Sequence, residues 1–138
     1  MGTGLGDYVV VSIILTYVTS FVLKAVIRLI TDMPEQKIDL IRDGGIPSSH
    51  TTLVTALTTS LYIKNGWSDV VLVSLIFSIV VIWDAMHVRL EVETISRFLN
   101  RRFREHFQEN VGHTPFEVLA GLALGISMPV LLFYFAYR

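Results

Sequence analysis

Apolar residues in this chain gather into long runs separated by short polar stretches, and the runs have the length of helices. The first extends from about Tyr8 to Ile30. At 1.5 Å per residue it reaches about 35 Å, enough to cross a hydrocarbon core of roughly 30 Å. No basic stretch precedes it and no small-residue cleavage site follows it, so the pattern predicts a retained span and not a signal peptide. A second helix is predicted from Ser48 or Ser49 to about Ile63, rich in threonine (Thr51, Thr52, Thr55, Thr58, Thr59). Such a helix suits a position among other helices better than one facing lipid. A third is predicted from about Val70 to Met86, after the Asn65-Gly66 break, and a fourth from Pro115 to about Tyr137. The second is the shortest and most polar of the four. Short connections between them predict one all-α domain over residues 1–138, an integral membrane four-helix bundle.

Residues 89–112 follow a different pattern. Arg97, Arg101, Arg102 and Arg104 mix with Glu91, Glu93, Glu105 and Glu109, while Val92, Ile95, Phe98, Leu99 and Phe103 recur at helical spacing. That predicts an additional amphipathic cytoplasmic helix on the membrane surface. A solvated extension of the third helix fits the same residues.

Composition agrees with a membrane protein: 52% of residues are hydrophobic, and mean hydropathy is +0.59. A net charge of −1 gives no basic surface for nucleic acid, and the absence of Cys removes thiol nucleophiles and cysteine metal sites. With four spans, Lys37, Arg42, Arg89, Arg97, Arg101, Arg102 and Arg104 fall in the two loops on one side, against Lys64 and Arg138 on the other. The positive-inside rule then predicts a multi-pass cell-membrane protein with both loops in the cytoplasm and both termini outside.

That topology brings chemistry to one membrane level. Gly44-Gly45-Ile46-Pro47-Ser48-Ser49-His50 leads into the second helix, and Gly112-His113-Thr114-Pro115-Phe116-Glu117 leads into the fourth. Helix starts offer unpaired N–H groups and a positive dipole end, which suit a bound phosphate. A histidine beside each adds a group that attacks or donates a proton near neutral pH. Ser48 fits an N-cap; with Gly45 and Ser49 it also fits a phosphate cradle, with His50 as proton donor. Lys24 and Arg28 share a face near the end of the first span. They fit either snorkelling charges or a clamp on phosphate oxygens, Lys24 lying deeper and Arg28 closer to a bystander. Asp84 lies in the apolar end of the third helix and needs a partner, which Arg89, Lys24 or a histidine can supply. Arg89, five residues on, would not share its helix face. Glu117 has two readings: the closing acid of a Thr114 capping box, or the carboxylate that orients His113. His87 reads as an interface residue and His106 as surface. Gly121 and Gly125 make a small-xxx-small surface, suited to close helix approach and to a homodimer.

At these residues the chain resembles the divergent branch of the superfamily that joins type 2 phosphatidic acid phosphatases and vanadium haloperoxidases. The resemblance rests on Gly44 through His50, on Asp84-Ala85 with Val88-Arg89, and on Gly112-His113 with Pro115, Glu117, Val118 and Gly121. It covers nearly the whole chain. In the wider superfamily a histidine attacks phosphorus, a following acid orients it, a second histidine protonates the leaving oxygen, and lysine and arginines hold the phosphate. No metal is needed for that phosphate chemistry, so the resemblance implies no cofactor here. The resemblance therefore implies His113 as nucleophile, Glu117 as its orienter, His50 as general acid, and Lys24 and Arg89 as the clamp. This chain departs from the wider pattern in several places. Ser49 replaces a glycine, Glu117 an aspartate, and Phe107 stands where an arginine is usual; Lys24 is followed by Arg28 without the Lys-x6-Arg-Pro motif.

The combined expectation is a membrane phosphatase acting on a lipid phosphate or diphosphate at the cytoplasmic face through a phosphohistidine. A non-catalytic binder or carrier of phosphorylated lipids is the alternative. A haloperoxidase ranks third, because the chain is membrane-embedded and lacks much of the anion clamp.

Overall fold

The computed structural model describes residues 4–30, 45–104, 106–109 and 111–137. Lys37, Arg42, Gly44, Glu105 and Arg138 lie outside them. The described residues form helices α1 (Gly4–Ile30), α2 (Ser49–Asn65), α3 (Asp69–Met86), α4 (Val88–Phe103) and α5 (Pro115–Leu132), the last continuing into a π-helical turn, Phe133–Tyr137. No strand occurs among them. The all-α bundle expected from the hydrophobic pattern is the fold.

Many buried side chains of the bundle are small and polar, and many large apolar ones are exposed. On α1, Ser12, Thr16, Ser20 and Lys24 follow one another at every fourth position and all are buried, whereas Val10, Ile14, Val18 and Val22 are exposed. Every fourth position is one helix face, so the small polar face packs on neighbours and the branched apolar face is left for lipid. Three stretches are long and apolar enough to cross a membrane: Asp7–Ile30, Asp69–Phe103 and Pro115–Tyr137.

Helix α2 is the axis of the assembly and packs against α1, α3 and α5. Ser48 caps its start, its Oγ accepting hydrogen bonds from Thr51 N and Thr51 Oγ1, and Gly66 ends it at φ 62. Against α1 it runs antiparallel, with Ser60 meeting Ser12 at 2.9 Å. Against α3 it also runs antiparallel: Thr58 Oγ1 lies 2.6 Å from Ser74 Oγ and 2.9 Å from Ser78 Oγ. Helix α5 runs parallel to α2, drawn in by its two glycines. A Cβ on Gly125 would stand 2.7 Å from Thr55 Cβ, and one on Gly121 would stand 2.8 Å from the Ser48 carbonyl. The small-xxx-small surface is thus used inside the chain, by α2, and not turned outward toward a second copy.

Residues 89–112 begin as a helix separate from α3. Helix α4 follows α3 after a single residue, His87 (φ −113, ψ −64), and exposes Val92, Ile95, Phe98 and Phe103 along one side. It stops at Arg104, which takes a left-handed conformation. The chain then returns along α4, held by Asn100, whose side chain donates to Phe107 O at 2.8 Å and accepts from Phe107 N at 2.8 Å. At the opposite end of the bundle Tyr8 donates to Pro129 O at 2.9 Å and packs edge-on against Phe133 and Tyr137. These directions gather the end of α1, the start of α2, the end of α3 and the start of α5 at one end of the bundle.

Candidate functional site

The start of α5 carries a locally determined histidine. Thr114 Oγ1 accepts from Glu117 N at 3.3 Å while Glu117 Oε2 accepts from Thr114 N at 3.0 Å, which is a capping box with Pro115 in the first turn. The same Oε2 lies 3.0 Å from His113 Nδ1. A carboxylate oxygen has lone pairs enough for both, so the two readings of Glu117 are one arrangement. Since a carboxylate only accepts, Nδ1 carries the proton, and the lone pair of the neutral ring is on Nε2. That atom is buried and has no hydrogen-bond partner among the described residues. His113 as a whole is 3% exposed.

Three further contacts fix its position. His113 N donates to Ala85 O at 3.2 Å, which ties it to the end of α3, and Ser48 N donates to Glu117 O at 3.1 Å, which ties α5 to the start of α2. Gly112 N donates to Glu93 Oε2 at 3.0 Å, while Glu93 Oε1 also takes Arg97 at 2.5 Å. Sequence reasoning named Ala85 only within a motif and Glu93 only within a charged stretch, and gave neither a role. The first acts through its backbone carbonyl, and the second resembles any charged residue on a solvated helix.

The start of α2 carries the second histidine. The His50 ring lies 6.5 Å, centroid to centroid, from that of His113, tilted by 56°. This is too far for stacking, and it places the two imidazoles as neighbours at one end of the bundle. Arg89 NH2 approaches His50 Nε2 at 3.3 Å, and Arg89 Nε pairs with Asp84 Oδ2 at 3.2 Å. The pairing corrects the expectation from five-residue spacing. That expectation assumed an unbroken helix, and the interruption at His87 turns Arg89 back over Asp84.

On the third side stand the cations of α1. Lys24, 3% exposed, directs Nζ toward Ser49 Oγ at 3.5 Å. Gly45 adopts φ +110, and a Cβ there would sit 3.6 Å from an Arg28 guanidinium nitrogen and 4.0 Å from Lys24 Cγ. Arg28, first read as a bystander, therefore lies against the glycine turn. Left-handed backbone at that spot favours glycine for conformational reasons. Ser48 is fully buried and occupied as the α2 cap and as a donor to α5, so among the two serines Ser49 is the one placed toward the lysine. His87 stacks on Trp83 at 3.9 Å, and His106 is exposed; neither joins the cluster. No trio of His, Asp and Glu among the described residues is placed to hold a metal ion.

A helical bundle with apolar outer surfaces and two histidines and several cations gathered at one end defines a multi-pass membrane protein. Residues 5–128 match the family described as Divergent PAP2, and the chain belongs to that family. It is similar to the uncharacterized membrane protein YuiD of Bacillus subtilis (strain 168), with 32% identity over 114 residues, covering 67% of this chain and 72% of the relative. No solved structure matches the chain.

Proposed function

We propose that this protein is a membrane phosphatase that hydrolyses a lipid phosphate or diphosphate through a phosphohistidine, with the site at the cytoplasmic face. The observation that carries the reading is the state of His113. Its Nδ1 is committed to Glu117, and its Nε2 is buried and unengaged among the described residues. It also lies 6.5 Å from a second imidazole.

In the first step the Nε2 lone pair of His113 attacks phosphorus, the bond from phosphorus to the leaving oxygen breaks, and a protonated His50 gives that oxygen its proton. In the second, water attacks phosphorus, the P–N bond breaks, and neutral His50 takes the water's proton. Lys24 and Arg89 neutralise the equatorial oxygens, whose charge must be held in the transition state. Arg28 and Gly45 close the α1 side of the same space. The nucleophile must be neutral and the acid protonated, so the rate should fall on both sides of an optimum pH.

The access route argues for an amphiphile. The cluster lies at the end of helices whose outer faces are apolar, so a substrate with a lipid tail can present its phosphate while the tail stays in the bilayer. The positive-inside distribution of Lys and Arg supports the cytoplasmic side.

A second reading, binding of phosphorylated lipid without turnover, draws support from the Arg89–His50 contact, which occupies the proposed acid. Purified protein offered a panel of lipid phosphates and diphosphates separates the two. Turnover predicts released inorganic phosphate that disappears in His113→Ala. Binding without release, or release that His113→Ala leaves undiminished, contradicts the enzymatic reading.

A further inference from the structure

We propose that Arg89 holds the site's own acid out of action and that a phosphate group removes the block: its guanidinium sits on Nε2 of His50, the atom to which we assign the catalytic proton. The inference rests on the phosphatase reading above and adds to it how the site is switched on.

A guanidinium has donors and no acceptor. At 3.3 Å from Arg89 NH2, His50 Nε2 is therefore the acceptor. The ring is then neutral at Nε2, with its proton on Nδ1, and has nothing to give a leaving oxygen from the side that faces Arg89. The blocking side chain is itself anchored. Its Nε bonds Asp84 Oδ2 at 3.2 Å, and the two side chains keep 27% and 46% of their surface exposed. A contact at the edge of the pocket, half in water, rearranges at small cost.

The charged and titratable groups around His50 among the described residues come from four helices, and the one that touches the ring is a cation. Arg89 approaches from α4 with Asp84 of α3 behind it, Lys24 of α1 reaches the neighbouring Ser49, and His113 stands opposite on α5, held by Glu117. Arg89 contacts the ring directly, so a further positive charge on that ring is disfavoured while the contact holds. A phosphate between the rings reverses this. It offers the guanidinium charged oxygens in place of a neutral nitrogen, which is the stronger and bidentate pairing. Once Arg89 turns to the phosphate, Nε2 is exposed to an anion and takes a proton from solvent. Binding of the anion and arming of the acid are then one event. Asp84 acts as a positioning residue: it keeps Arg89 within reach of both partners.

The test is nitrogen NMR of the full chain in lipid nanodiscs, with labelled histidine, at about pH 6, where an unencumbered imidazole is mostly protonated. His50→Gln assigns the His50 signals, and inorganic phosphate is the probe, its binding followed by the change in its own phosphorus signal. The expected result is an unprotonated His50 Nε2 in the empty protein that becomes protonated as phosphate saturates. Arg89→Ala should show His50 protonated already without phosphate, and Asp84→Asn an intermediate fraction, while the His113 Nδ1 proton stays bonded to Glu117 in both, which reports intact folding. Phosphate that binds while His50 keeps its state overturns the inference and leaves the phosphatase reading standing. So does an Arg89→Ala protein whose His50 matches the parent. Failure of the parent protein to bind phosphate at any concentration overturns both.

Discussion

The starts of α2 and α5 are built alike and behave differently. Each has a proline and a hydroxyl cap at the head of a helix packed in the bundle, and each carries a histidine to the same end. At α5 the histidine is set by its own segment: Glu117, one turn on, fixes the tautomer and leaves Nε2 open. At α2 it is set from a distance, by an arginine 39 positions away that takes Nε2 for itself. Similar local frames therefore hold their rings in opposite states. On the proposed reading, the ring with an acid on one nitrogen attacks, and the ring with a cation on the other waits for its proton. The partner of each ring, and not the motif that carries it, would then assign the roles.

Breaking the α5 side should have the largest effect. His113→Ala removes the proposed nucleophile, and phosphate release should fall by at least about a thousandfold, measured as initial rate on the best lipid phosphate of a panel. Glu117→Gln keeps the size of the side chain and some of the capping bonds but removes the charge that orients the ring. The rate should drop by about a hundredfold with KM nearly unchanged, whereas a purely capping role for Glu117 predicts lower thermal stability and an unaltered rate per folded molecule. Gly121→Ala attacks the distance between the two starts, because its Cβ would meet the Ser48 carbonyl at 2.8 Å. Pushing α5 off α2 should cost about 1–3 kcal/mol, seen as a lower melting temperature in detergent, and should also reduce activity, since Ser48 is two residues from His50. Thr114→Ala removes only the cap hydroxyl. It should cost about 1 kcal/mol and leave the His113–Glu117 pair, and thus the pH optimum, in place.

The sequence reveals the two starts to different depths. The apolar runs fix where helices lie because lipid-facing surface leaves few alternatives. The α5 start is legible almost to the atom, since Thr114, Pro115 and Glu117 are neighbours and their bonds are local. Its one ambiguity, cap or orienter, vanishes because one carboxylate oxygen serves two donors. The α2 start is legible only as a motif. That Arg89 folds back on Asp84 depends on the single residue, His87, that separates α3 from α4, and no periodicity announces it. Nor does the pattern show that Phe107 lies against Asn100 and Gly112 against Glu93, both on α4. The Gly121–Gly125 pair announced close packing without its partner: spacing names a smooth face but not the helix that lies on it.

The most direct test of the central claim is a structure of the protein with orthovanadate bound. The account predicts one vanadate between the rings, with its metal atom within bonding distance of His113 Nε2, an oxygen facing His50, and Lys24 and Arg89 within hydrogen-bond reach of the remaining oxygens, Arg89 having left His50. Vanadate bound elsewhere, or a vacant space between two rings that keep their present partners at saturating vanadate, would contradict it.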